Sequence, residues 1–261
     1  MSQLTYEKYL HLTEMLALQK PRSAPPEHDE MLFIVIHQTY ELWFKLMLHE
    51  LEKIKRDFSN NRLYDAIHTF KRVRTLMKTL VEQLDVLETM TPMSFTSFRS
   101  RLDTASGFQS VQFREVEFVL GYRRKDMLQY HEPGSPALAV LEKRLAERSV
   151  IDHFYDFLGA RGVAVPPELL KRNLEESNTA SVAVQDALTE LYRREPSTAL
   201  LFEVMMDFDE GLMEWRYRHV MLVARTIGEK HGTGGSLGVE FLKRSLFKPV
   251  FADLWAIRHR F

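Results

Sequence analysis

Apolar residues recur at spacings of three and four along this 261-residue chain, and only 11 glycines and 10 prolines interrupt them. A strand buries every second side chain, whereas a helix buries a stripe that returns every third or fourth residue. The pattern therefore specifies an all-α protein, a helical bundle. The spacing predicts a first amphipathic helix over residues 4–19, stopped by Lys20-Pro21 and the Pro25-Pro26 pair. A long helix follows over residues 28–58, with Phe33, Ile36, His37, Tyr40, Phe44, Met47, Leu48 and Leu51 on its inward stripe. A third covers residues 63–89, and shorter elements occupy 94–102 and the stretch up to Leu120.

Ser135-Pro136 reads as a capped helix start, and breaks at Gly159, Gly162 and Pro166-Pro167 mark the middle of the chain. Residues 135–195 are expected to form a small inserted helical lobe within a single domain spanning 1–261. The last long helix is predicted over residues 197–227, ending at Gly228 and followed by the cluster Gly232-Thr233-Gly234-Gly235 and two closing helices.

With 35 basic and 36 acidic residues the formal charge is −1, which gives no long-range attraction for nucleic acid or an anionic membrane. No apolar run has membrane-spanning length, and the opening residues lack the basic and apolar parts of a signal peptide, so a cytoplasmic protein with a small-molecule partner is expected. Absence of cysteine removes disulfides, iron–sulfur clusters, thiolate-ligated or covalently attached haem and thiol nucleophiles together. A metal would have to be held by His, carboxylate, Met or Tyr.

Ten histidines are present, and a histidine on an apolar helix face is more often a hydrogen-bonded core residue than a ligand. His37, one turn after Phe33, and His219, within Trp215-Arg216-Tyr217-Arg218-His219, have suggestive surroundings. Neither forms a His-x-x-x-His or Glu-x-x-His pair, which gives little support to zinc or di-iron, although a single axial histidine beneath a haem needs no such pair. The glycine cluster lacks the Lys-Ser/Thr of a phosphate loop and follows a helix instead of a strand. It reads either as a plain turn or as a loop closing over a ligand, with Thr233 offering a hydroxyl.

The string His28-Asp29-Glu30-Met31-Leu32-Phe33-Ile34-Val35-Ile36-His37-Gln38-Thr39-Tyr40-Glu41-Leu42-Trp43-Phe44-Lys45 resembles the signature of the haem-dependent tryptophan 2,3-dioxygenase family. Further resemblances follow in order: Leu4-Thr5-Tyr6-Glu7-Lys8-Tyr9-Leu10, Phe95-Thr96-Ser97-Phe98-Arg99, Ser106-Gly107-Phe108-Gln109-Ser110, then Trp215 to His219 and the glycine cluster.

The resemblance implies a bundle enclosing a haem b pocket, with L-tryptophan and O2 as substrates. It implies that His219 is the axial ligand of the haem iron, that His37 meets the indole N–H, and that Phe33 packs against the indole. It likewise implies Arg99 on the substrate carboxylate, Phe95 one turn earlier on the pocket wall, and Thr233 near the substrate ammonium. Tyr6 and Tyr9 are similar to tyrosines that enter a neighbouring subunit's site in a homotetramer built as a dimer of dimers. The implied reaction puts both oxygen atoms across the indole C2–C3 bond and yields N-formylkynurenine, the first step of tryptophan breakdown. His37 could serve there as a catalytic base or only position the ring.

Residue chemistry is compatible with these roles. A guanidinium fork suits a planar carboxylate in a dry site, and side chains four apart share a helix face, so one indole could meet both Phe33 and His37. Spacing alone is equally compatible with a surface salt bridge and two core residues. A monooxygenase of a modified tryptophan on the same scaffold, or a non-catalytic haem-binding helical protein, are the alternatives.

Overall fold

The computed structural model describes residues 3–230, 232–233 and 238–261. All of its regular elements are helical, as periodicity predicts, and no strand occurs among the described residues. Helices α1 (Tyr6–Leu10) and α2 (Leu12–Met15) precede the long α3 (His28–Ser59) and α4 (Leu63–Leu87). Then come α5 (Pro92–Arg99), α6 (Val111–Val119), α7 (Pro136–Ala146), α8 (Val150–Ala160), α9 (Pro167–Leu170) and α10 (Val182–Arg194). The second 32-residue helix, α11 (Pro196–Ile227), leads to α12 (Val239–Lys243) and α13 (Ala252–Ala256).

α4 packs between α3 and α11, and these three form the frame. The apolar stripe of α3 is buried at Ile36, Tyr40, Phe44, Met47, Leu48 and Leu51. At its C-terminal end Phe58 lies 5.8 Å from Phe70 of α4, and 5.5 Å and 5.4 Å from Phe154 and Phe157 of α8. Phe58, Phe70 and Phe157 are fully buried, and each such ring contributes about 1.5–3 kcal/mol through apolar burial. α4 and α11 approach closely at Gly211, where an added Cβ would meet Met77 Cβ at 3.3 Å. Helices α8 and α10 share this core through Val150, Phe154, Leu158, Val184 and Leu188.

Helix ends follow their caps. Ser135 accepts from the Leu138 amide at 3.2 Å and Pro136 occupies the first turn, as expected at that start. Ser149 and Asp152 form a reciprocal capping box at α8. α11 stops at Gly228, whose φ of 60° lies in the left-handed region.

The first helix departs from expectation. Residues 4–19 do not make one amphipathic helix but two short ones, broken at His11, whose φ of 52° is left-handed. Neither buries a residue, so no tertiary contact compensates the cost of so short a helix, and Leu4, Tyr6, Tyr9, Leu16 and Leu18 remain exposed. No described helix is long and apolar enough to cross a membrane.

Candidate active site

The aromatic core fills the frame where α3 ends and α11 begins. At the opposite end, where α3 begins and α11 ends, a cavity of about 290 Å3 opens between them. Its wall carries Phe33 and His37 from α3, Phe95 and Arg99 from α5, His219 from α11, and Thr233. Six positions separated by up to 200 residues in sequence thus share one space. Tyr6 and Tyr9 do not join them in their own chain, being 76% and 69% exposed. Gly234 and Gly235 of the glycine cluster lie outside the described residues.

His37 is surrounded by protein yet keeps free surface, because it forms part of the cavity wall. Its Nδ1 lies 2.7 Å from the Phe33 carbonyl oxygen. A carbonyl oxygen only accepts, so Nδ1 carries the proton and Nε2 is left as the acceptor. Burial lowers the pKa of His37, against the opposing effects of the Phe33 carbonyl and the charge of Glu41, so the ring is neutral at neutral pH. Phe33 stands 4.0 Å from His37 between centroids, and 5.8 Å and 5.5 Å from Phe95 and Phe98. Thr91, which caps α5 by accepting from the Ser94 amide, and the fully buried Phe98 fix the helix that carries Phe95 and Arg99.

His219 faces the cavity from α11 with Trp215, one turn earlier, stacked on it at 5.2 Å and 2°. Burial, reinforced by His37 when that ring is protonated and by the charge of Arg114, pushes its pKa down to about 4. The imidazole is therefore neutral and has a lone pair for a metal. Among the described residues no group of three or more His, Asp or Glu is placed to hold a metal ion. A donor set of one neutral imidazole, in a wall made largely of Tyr40, Phe44, Leu84, Leu87, Met90 and Phe113, fits an axially ligated haem and not a zinc cage.

The Thr233 hydroxyl donates to the Ala105 carbonyl at 2.6 Å, tying the segment after α11 to the turn after α5. Gly238 has a φ of 58°, and an added Cβ would meet the Lys230 carbonyl oxygen at 2.9 Å, so this close turn requires glycine. Sequence reading missed Glu41, which lines the cavity one turn after His37. Its carboxylate accepts from Ser110 Oγ at 2.5 Å and Gln112 Nε2 at 2.9 Å, fastening the start of α6 to α3. The four-residue spacing from His37 was its available signal.

The family profile described as Tryptophan 2,3-dioxygenase matches residues 1–155 and 166–260. The chain belongs to the tryptophan 2,3-dioxygenase family. A tryptophan 2,3-dioxygenase of Herpetosiphon aurantiacus is 52% identical over 98% of this chain and 97% of its own length. One of Anaeromyxobacter sp. strain K is 49% identical, covering 98% and 95%. Another, of Bordetella parapertussis, is 40% identical, with coverage of 98% and 90%. Family membership accounts for the motifs on α3, α5 and α11, which are the elements that wall the cavity.

Proposed function

We propose that this chain is a haem-dependent tryptophan 2,3-dioxygenase that converts L-tryptophan and O2 to N-formylkynurenine. The observation that carries the reading is the convergence of Phe33, His37, Phe95, Arg99, Thr233 and His219 on one cavity. His219 would hold the iron of haem b, and the bound group would supply the oxygen chemistry.

The chain's own residues bind and orient. Arg99 meets the substrate carboxylate through its guanidinium fork. Thr233 already donates its proton to Ala105, which leaves oxygen lone pairs to accept from the substrate ammonium. Phe33 and Phe95 pack against the indole, and His37 Nε2 accepts its N–H. A neutral ring with a lowered pKa is a weak base, and an indole N–H is a very weak acid, so His37 acts by positioning. The apolar wall excludes water from the reacting C2–C3 bond.

Tyr6 and Tyr9 act on a neighbouring subunit's site in a cytoplasmic homotetramer, and residues 135–195 are a helical lobe inserted in the one domain. Their exposure supports a role in trans, since an uncovered run of apolar side chains is suited to another surface.

The test is ferrous protein with L-tryptophan, 18O2 and no added reductant, with rapid product isolation because carbonyl oxygens exchange with water. N-formylkynurenine labelled at both the formyl and ketone oxygens over many turnovers is expected. A single labelled atom in a hydroxylated product, or a stoichiometric demand for reductant, overturns the dioxygenase assignment.

A further inference from the structure

Residues 105–110 run along the cavity wall between α5 and α6, and Ser106, Gly107, Phe108 and Ser110 all line the space. The segment is bonded to itself. The Ala105, Gln109 and Ser110 amides donate to the Leu102, Ser106 and Gly107 carbonyls at 2.8, 2.9 and 3.2 Å, and Ser106 caps the single 3-10 turn at Gly107–Gln109. A piece so short and so bonded moves as one body, and what holds one end sets the other.

Different elements grip the two ends. At one end Ser110 Oγ gives its only proton to the Glu41 carboxylate of α3 at 2.5 Å and accepts from the Phe113 amide at 3.2 Å, so the same hydroxyl starts α6 and meets α3. Gln112 Nε2 donates to that carboxylate at 2.9 Å and to the Glu41 main-chain carbonyl at 2.8 Å. Hydrogen bonds to an ionised acceptor are about twice as strong as neutral ones, which makes a carboxylate a firm anchor here. At the other end the Ala105 carbonyl accepts from the Thr233 hydroxyl at 2.6 Å.

The Ala105 contact bears on recognition. A threonine hydroxyl has one proton and rotates until an acceptor fixes it. With that proton on Ala105, the oxygen lone pairs point elsewhere, and an ammonium, which only donates, finds an acceptor. Were the Ala105 carbonyl to shift, the released proton would point at the ammonium, and donor would meet donor. We propose that Glu41 is a positioning residue for ammonium recognition: through Ser110 and Gln112 it holds residues 105–110 where the Ala105 carbonyl keeps the Thr233 proton turned away from the substrate. This rests on the reading given above in which Thr233 meets the substrate ammonium. The charge of Glu41 is also felt at His37, but His37 meets the indole and leaves the ammonium to Thr233.

The test compares L-tryptophan with indole-3-propionate, which keeps the indole and the carboxylate and lacks the ammonium. Both are titrated calorimetrically into the full-length protein loaded with haem b. Wild type should prefer tryptophan by about 10-fold or more, the range of one charge-assisted bond. Glu41→Gln keeps the side chain's size, but its one oxygen serves only one of the two donors. It should cut the preference about 3- to 10-fold and leave indole-3-propionate bound as before. Thr233→Val should abolish the preference, and adding Glu41→Gln to it should change nothing further, because two residues acting through one contact are not additive. Gln112→Leu, which removes one donor and leaves the carboxylate, should act in the same direction by less, and it serves if Glu41→Gln does not fold. An unchanged preference in either folded variant would show that α5 alone holds Ala105 and would overturn the proposal. An equal loss for both ligands overturns it too, since the effect then lies on the indole or on folding. A wild type that binds the two ligands alike refutes the ammonium reading of Thr233 itself, and the positioning role falls with it.

Discussion

Arg99→Leu removes the guanidinium from the cavity wall while keeping an apolar side chain at the end of α5. The helix should persist, because the Thr91 cap and the buried rings of Phe95 and Phe98 hold it. Arg99 is half-buried, so its interaction with a carboxylate is partly shared with water. One charge-assisted hydrogen bond is worth about 1.5–3 kcal/mol, and a fork can make two. Partial exposure holds the total to that of about one such bond, about 1.5–3 kcal/mol, which corresponds to roughly 10- to 100-fold in affinity. The assay measures tryptophan binding by the ferrous protein spectrally, and kcat/KM by N-formylkynurenine absorbance, each repeated with tryptamine. Tryptophan should weaken by that factor, whereas tryptamine, lacking the carboxylate, should bind wild type and variant alike. An unchanged tryptophan affinity, or an equal loss for tryptamine, would refute the clamp.

Asp209→Asn should destabilise the protein by about 1–3 kcal/mol, since its amide can accept from at most part of the set formed by the Val250, Phe251 and Trp255 donors, leaving a buried N–H unpaired. Urea denaturation gives the number, and an unchanged midpoint would show that the C-terminal segment is held by packing alone. Asp152 is held below its ordinary pKa of 3.8, against the cost of burial, by hydrogen bonds from Arg172 and Ser149, so its stabilisation is present above about pH 4 and is lost as pH falls through the lower folded value. The deficit of Asp152→Asn at pH 7 should therefore shrink below pH 4, and a constant deficit would remove the ionised carboxylate from the account. Chains lacking residues 1–9, mixed with His219→Ala chains, should regain activity if Tyr6 and Tyr9 act in trans; hetero-oligomers that form and stay inert would contradict it.

Apolar periodicity and proline and glycine punctuation specified α3, α4 and α11 nearly to their ends, and the serine cap at Ser135 the start of α7. Those signals are local: a helix is stabilised by residues three and four apart, and its ends by residues beside them. The motifs likewise pointed to Phe33, His37, Phe95, Arg99, His219 and Thr233 as single positions. Their meeting at one cavity was a tertiary outcome, because it depends on α4 and Gly211 setting how α3 and α11 lie against each other. The same holds for the tautomer of His37, since the inward turn of its ring selects the Phe33 carbonyl as partner. Residues 4–19 show the reverse, where a fair local pattern breaks at His11 and neither of the two short helices buries a residue. Arg114, Arg124 and Arg216, which share the wall of the cavity, had no legible signal in a chain of net charge −1, with more than 90 residues separating the last from the others. Charge clusters of this kind arise only when folding brings distant residues into one wall, which no local signal in the sequence encodes.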